Sequence, residues 1–204
     1  MKARERDLRI SRRSWLLAGL TVPLFTARGA DFLNVRYDGD TIHVAPPGVH
    51  FLTGKALDRL RDGSAVAFVA QLDLLSEERV SIRQQRAKFV ISFALWEEKY
   101  SVTRLGRSPQ TVNGLSADAT EAWCFESLAL NTMGLPLDRF FYLRFDLRTG
   151  GPRDLEEDEA GGYRLKDLIA LLGRKNQAES HWGPLEMRVR LADLPRMAGR
   201  GSKG

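Results

Sequence analysis

The stretch VAFVAQLDL, residues 66–74, has the alternating pattern of a β-strand. Successive side chains of a strand point to opposite faces of its sheet, so every second residue shares a face. The residues on one of these faces are all apolar: Val66, Phe68, Ala70, Leu72 and Leu74. On the other face, Ala67 and Val69 make the first half of the strand apolar as well. The stretch therefore predicts a strand with one face against a core along its whole length.

A second strand pattern ends as FVISFALW, residues 89–96, which is apolar nearly throughout. Such a run is typical of an interior strand with both faces covered by other elements. It predicts that Phe93 belongs to the core. Glu97 and Glu98 then turn the chain into a further strand at residues 100–103, which completes a hairpin.

Shorter patterns supply the other elements. In chain order they predict a hairpin at 33–44, a helix between Thr53 and Gly63, a loop at 106–114, a helix from Ser116 to about Asn131, a strand at 141–147, a helix at 165–172 and a strand at 185–191. About seven strands and two or three helices, with short connections, predict a strand-dominated α+β fold. We expect an antiparallel sheet or a β-sandwich on which the helices pack.

The first 29 residues differ in character from the rest of the chain. Residues 1–14 carry six basic and two acidic side chains, and residues 15–27 are uncharged and mostly apolar. Thirteen helical residues rise about 20 Å, against about 30 Å for the hydrocarbon core of a bilayer, so this run is too short for a comfortable membrane span. The small residues Ala27 and Gly29 suit a cleavage site before Ala30. A signal peptide is predicted, because the alternative of an amphipathic first helix lacks a polar face and breaks at Pro23.

Within this segment stands SRRSWLL, residues 11–17. It resembles the twin-arginine (Tat) export signal, in which Ser or Thr precedes two arginines, any residue, a large apolar residue, a leucine and often a lysine. Arg12 and Arg13 match the arginine pair, Trp15 stands where phenylalanine is usual, and Leu16 matches the leucine. The resemblance implies a secreted bacterial protein that the Tat export machinery delivers to the periplasm. Membrane contact is predicted only through the signal, if the signal stays uncleaved.

Loss of the signal changes the charge of the protein. The whole chain has 31 Lys+Arg and 26 Asp+Glu, a net charge of +5; residues 1–29 hold seven and two of these, which leaves 24 of each. Because nucleic-acid binding needs a retained basic face, no nucleic-acid partner is predicted. Residues 30–195 are expected to form a single globular domain, and residues 196–204 a flexible basic tail.

Three further segments carry a second resemblance. They are LDRLRDG at 57–63 before a strand, YSV at 100–102 before a loop and the helix around Trp123, and RVRLADLP at 188–195. Over about residues 33–196 the chain resembles an uncharacterised family of short exported bacterial proteins, a domain of unknown function. The glycine-bracketed acidic stretch and the twin-arginine signal depart from that family. Since the family has no established activity, the resemblance assigns no catalytic residue.

Few side chains suit catalysis or metal binding. His43, His50, His181 and Cys124 are too few and too widely spaced in sequence for a zinc site, and an iron–sulfur cluster would need more cysteines. The acidic run DLEEDE, residues 154–159, lacks the spacing of a calcium loop and is predicted to be a solvated loop. We therefore predict no metal and no cofactor, and we assign no catalytic residue.

These patterns favour a non-catalytic binding or assembly domain with a protein partner in the periplasm. Two other interpretations stay open. One is a small periplasmic hydrolase whose catalytic set is assembled from dispersed residues, and the other is an escort subunit for a cofactor-bearing partner that uses the same export route. An exposed apolar patch would favour binding, whereas a deep pocket enclosing a histidine and a carboxylate would favour the enzyme.

Export should depend on the arginine pair. Changing Arg12 and Arg13 together to lysine keeps the charge but removes the pair that the Tat motif requires, so precursor should accumulate in the cytoplasm. Cell fractionation with N-terminal sequencing measures this, and the exported wild-type chain should begin near Ala30. Normal accumulation of the double variant outside the cytoplasm would contradict the prediction.

Overall fold

A computed structural model describes residues 33–151, 154 and 180–196, and within them the chain forms two antiparallel sheets and two α-helices. The strands are β1 (Asn34–Tyr37), β2 (Thr41–Ala45), β3 (Val66–Leu75), β4 (Ser81–Ala94), β5 (Lys99–Leu105), β6 (Gln110–Leu115), β7 (Ala129–Asn131), β8 (Phe140–Thr149) and β9 (His181–Arg190). The helices are α1 (Gly54–Arg61) and α2 (Ala117–Glu126), and a 3-10 turn at Leu191–Asp193 follows β9. The predicted strand-dominated α+β fold is confirmed.

Strand β3 lies in the interior of the larger sheet, whose strand order is β6-β5-β4-β3-β8-β9. It pairs with β4 along its whole length and with β8 from Phe68 onward. All of its residues except Gln71 are buried, so both of its faces are covered. The smaller sheet has the order β1-β2-β7.

One hydrophobic core joins a face of the larger sheet to the smaller sheet and to both helices. Aromatic rings meet inside it: the ring of Phe51 lies 4.8 Å from that of Phe68 and 5.7 Å from that of Phe125, which lies 5.9 Å from that of Phe145. The contacts are tilted or edge-on, the geometry that aromatic quadrupoles favour. These four rings come from the segment before α1 and from β3, α2 and β8, so the core holds together elements that are distant in sequence.

The structure of β4 differs from the prediction that residues 89–96 are covered on both faces throughout. The strand is buried from Ala87 to Ile91, but Phe93 is only half-buried, and Trp96, just beyond the strand, is fully exposed. The pairing register supplies the reason. Strand β3 begins at Val66, opposite Ile91, so the later residues of β4 have only β5 beside them.

Two other boundaries differ from the prediction and raise the strand count from seven to nine in the part of the chain that the structure describes. Helix α2 ends at Glu126, and β7 follows, because Leu130 is buried opposite Ile42 of β2. The predicted loop at 106–114 contains most of β6, an edge strand that pairs with β5 and buries no side chain fully. The predicted helix at 165–172 lies outside the described residues.

The helix starts were predicted correctly. Ser116 caps α2, because its hydroxyl accepts a hydrogen bond from the backbone N–H of Ala119. Thr53 occupies the N-cap position of α1, but its hydroxyl donates to the carbonyl of His50 instead of capping the helix. Gly63, just past α1, has a φ of 80°, the left-handed conformation that glycine adopts without strain.

Asp154 corrects the prediction that the acidic run is a solvated loop, as far as that run is described. Its carboxylate accepts hydrogen bonds from Arg148 (2.8 Å) and Arg86 (2.7 Å) and from the backbone N–H of Gly151 (2.9 Å). The side chain is only 14% exposed. The hydrogen bonds from Arg148, above all, lower the pKa of Asp154 to about 2. Asp154 therefore links Arg148, near the end of β8, to Arg86 of β4.

Two alanine substitutions on β4 should differ in cost. Phe89 is fully buried whereas Phe93 is half-buried, so Phe89→Ala should lower the free energy of unfolding by about 3–5 kcal/mol and Phe93→Ala by about 1–2 kcal/mol. Chemical denaturation of the two variants measures the difference. An equal or larger cost at Phe93 would show that the end of β4 is covered after all.

The Asp154 cluster should make stability depend on pH. Its carboxyl titrates near pH 2 in the folded chain and near 3.9 when unfolded, so its stabilisation is present above about pH 4 and is lost as the pH falls toward 2. Because the carboxylate is partly solvated, Asp154→Asn should cost about 1–2 kcal/mol at pH 7. Denaturation curves between pH 7 and pH 2.5 should show the variant and the wild type converging. The exposed Asp62→Asn is the control, and an equal loss there would remove the Asp154 cluster as the cause.

Candidate functional site

An open cleft of about 260 Å³ lies between α2 and the segment that follows β2. The Pro46-Pro47-Gly48 turn ends β2 and carries the chain to His50 at the rim of the cleft. The wall formed by α2 contributes Asp118, Glu121 and Glu126. The cleft therefore combines one imidazole with several carboxylates.

Glu121 is the best-fixed side chain of this cleft. It is 5% exposed, although it carries a carboxylate. Its Oε1 accepts hydrogen bonds from the backbone N–H groups of Phe51 (2.7 Å) and Leu52 (2.8 Å). Buried backbone N–H groups need hydrogen-bond acceptors. Residues 51 and 52 lie outside any strand, so the Glu121 carboxylate accepts their hydrogen bonds in place of the carbonyl groups of a neighbouring strand.

The second oxygen of Glu121 points to His50. Its Oε2 lies 2.9 Å from His50 Nδ1. This hydrogen bond, together with the charges of Glu121 and Asp118, raises the pKa of His50 above its ordinary value. The imidazole itself is 65% exposed, so solvent and ligands can reach it.

Asp118 stands one helical turn before Glu121 on α2, in the first turn of the helix. Residues three apart on a helix are surface neighbours. One ligand atom each from His50, Asp118 and Glu121 lie within 4.8 Å of one another. The arrangement can accept protons or bind a cation, because it offers one nitrogen and two carboxylate donors.

The other two histidines lie elsewhere. His43, on β2, is 3.6 Å from a carboxylate oxygen of Asp38 and 3.7 Å from one of Glu126. His181, on β9, has its Nε2 2.7 Å from Asp146 of β8. The structure therefore keeps the three histidines apart and gives each of them a carboxylate neighbour.

Cys124 faces the core from α2 and is 2% exposed. Burial raises the pKa of its thiol well above the usual range. It behaves as a small apolar side chain and not as a nucleophile.

The open edge of the larger sheet is a second candidate surface. Strand β6 has no charged residue and no proline, and its side chains are exposed or half-buried. The opposite edge strand, β9, carries Pro184 and three charged residues, Glu186, Arg188 and Arg190. Prolines and charges on an edge strand hinder the addition of another strand, and β9 carries both whereas β6 carries neither. The pairing of β6 with β5 is irregular between Val112 and Leu115, where Gly114 has a φ of 75°, so the regular part of this edge is residues 110–112.

An apolar tip adjoins the edge that β6 forms. Trp96 is 100% exposed and Leu95 is 53% exposed, both in the turn between β4 and β5. Tyr100 near the start of β5 pairs with Leu115 at the end of β6, so the tip projects from the same end of the sheet. Exposed large apolar side chains next to one another mark interaction surfaces.

The residues of the predicted export signal, Arg12, Arg13, Trp15 and Leu16, and of the cleavage site, Ala27, Gly29 and Ala30, lie outside the described residues. The sequence patterns placed His50 among side chains too widely spaced for a metal site and gave no role to Asp118 or Glu121. One signal was available: Glu121 precedes Phe125 by one helical turn, so a carboxylate shares a face with a core residue. A carboxylate in that position needs hydrogen-bond donors from another part of the chain.

Comparison with family models, with curated proteins and with solved structures gives no match for this chain. In the part of the chain that the structure describes, no helix combines the length and the apolar character needed to cross a membrane.

Proposed function

We propose that this chain is exported by the twin-arginine route and acts in the periplasm as a binding domain that pairs β6 with an extended segment of a partner protein. The observation that carries the proposal is the contrast between the two edges of the larger sheet. An edge strand presents unpaired backbone N–H and C=O groups, which an extended peptide can complete as an additional strand. Among the described residues, β6 has a neighbouring strand on one side only and carries no proline or charge, whereas the edge strand β9 carries both.

The apolar tip adds side-chain recognition to this backbone pairing. A strand laid along β6 would reach Leu95 and Trp96 at the end of the sheet, because β5, which pairs with β6, begins just after this tip. Trp is the residue type that most often dominates binding energy at interfaces. The preferred partner segment is extended, free of proline in its paired part, and apolar where it meets the tip.

The cleft at His50 favours a second candidate function, that of a small hydrolase. A histidine hydrogen-bonded to a buried carboxylate is the arrangement of a general base and its orienting group. Among the described residues, however, the lining of the cleft contains no serine, threonine or cysteine that could act as the nucleophile. Partner binding is therefore the better-supported function, and an escort role for another exported protein is one form of it.

Photo-crosslinking in intact cells tests the binding function. A photoreactive amino acid at Asn113 of β6 should give a defined adduct, and the same group at Arg188 of β9 should not. Mass spectrometry of the adduct should locate the crosslink in an extended segment of the partner.

Lysine substitution then separates edge pairing from chance proximity. Thr111→Lys puts a charge on the exposed edge and should reduce the adduct about tenfold or more, while Val80→Lys, at an exposed site in a different turn, should not. The proposal fails if adducts form equally at both edges, or if the two lysine variants behave alike.

A further inference from the structure

We propose that His50, Asp118 and Glu121 form a zinc-binding site at the rim of the cleft. The inference is independent of the pairing of β6 with a partner. It starts from the three donor atoms that the fold brings within 4.8 Å of one another. They come from two segments about 70 residues apart, the loop after β2 and one face of α2.

The donor types suit zinc. Zinc binds imidazole nitrogen and carboxylate oxygen at about 2.0–2.2 Å, usually with tetrahedral geometry, so its ligand atoms lie about 3.3–3.6 Å apart. His50 Nδ1 and Glu121 Oε2 are 2.9 Å apart in a hydrogen bond, so zinc must displace the proton between them and separate the two atoms by about 0.4–0.7 Å. The donor atoms lie up to 4.8 Å apart, so Asp118 needs to approach by up to about 1.2–1.5 Å. Asp118 and His50 are exposed, so their side chains can rotate into place.

Glu121 is held in position before any ion arrives. Its Oε1 is occupied by the N–H groups of Phe51 and Leu52, which leaves Oε2 directed at the site. Hydrogen bonds to a ligating carboxylate orient it and are a regular part of metal sites in proteins. Burial of this side chain also means that the site does not depend on a freely rotating surface glutamate.

The charge balance favours a divalent cation. Two carboxylates neutralise a doubly positive ion, and the imidazole adds the nitrogen ligand that distinguishes a zinc site from an oxygen-only calcium or magnesium site. The cleft is also lined by Arg36, whose charge is balanced by Glu126 at 2.6 Å. The N-terminal end of α2 opposes a cation weakly, and Asp118 in its first turn offsets that field. Three protein ligands leave a fourth position open toward the cleft, where water or an acidic ligand can bind.

Zinc chloride added to the purified full chain, followed by isothermal titration calorimetry, tests the site. We expect one ion per chain. Cobalt(II) in place of zinc should give the visible absorption of a four-coordinate site with nitrogen and oxygen ligands, which reports the geometry independently of affinity.

Matched variants assign the ligands. His50→Gln and Asp118→Asn should each weaken zinc binding about tenfold or more and change the cobalt spectrum. Both side chains are exposed, and glutamine at position 50 can still donate a hydrogen bond to Glu121, so circular dichroism should show both variants folded. Glu121→Gln retains an oxygen for Phe51 and Leu52 and should also weaken binding; circular dichroism checks that this buried variant stays folded.

Two control variants each remove a side chain of the same type that is not a proposed ligand. Glu126→Gln removes a carboxylate that lines the same cleft, and His181→Gln removes a histidine that pairs with a carboxylate elsewhere. Both should bind zinc within about twofold of the wild type. The site is disproved if no stoichiometric binding occurs, if His50→Gln and Asp118→Asn leave binding unchanged, or if either control weakens it as much as they do.

Discussion

The pairing of β3 on both of its edges is the constraint on which the rest of this structure depends. Each paired edge satisfies backbone donors and acceptors that could not otherwise be buried, and that allows both faces of the strand to be covered by side chains. The main core lies on one face, and a small cluster of Ala65, Ala67, Val90 and Leu105 lies on the other. This coverage stops opposite Val66, where β3 begins. The residues of β4 after Ile91 have no neighbour from β3, and Trp96, just beyond β4, is fully exposed.

A buried carboxylate connects the smaller elements to this framework. Glu121 takes the place of a strand for the two backbone N–H groups that follow the Pro46-Pro47-Gly48 turn. A buried charge is stabilising only when its hydrogen bonds are complete, and here both oxygens have partners. The same contacts that hold the loop against α2 also bring His50 to Asp118. Structural support and the chemistry of the cleft therefore come from one side chain.

The two candidate surfaces suit different kinds of ligand. The cleft is polar at its rim and small, which suits an ion or a small acidic molecule. Within the described residues, β6 has a neighbouring strand on one side only and adjoins an apolar tip, and these two features suit a polypeptide. The proposed ion and the proposed partner segment would occupy different surfaces, so neither would compete with the other.

The sequence by itself determined the strands whose alternation is complete, among them β3, β8 and β9, and the start of α2 at Ser116. Local signals are sufficient there, because side-chain period and capping act within a few residues. It also supplies the export signal, which stays a prediction. Three features depend on contacts between distant segments. The start of β3 sets where β4 becomes exposed, pairing with β2 makes residues 129–131 a strand instead of a helix end, and pairing with β5 makes 110–115 an edge strand. The cleft belongs to the same group: His50 and Glu121 are 71 residues apart, and no local pattern records a contact that is made only when the turn after β2 folds onto α2.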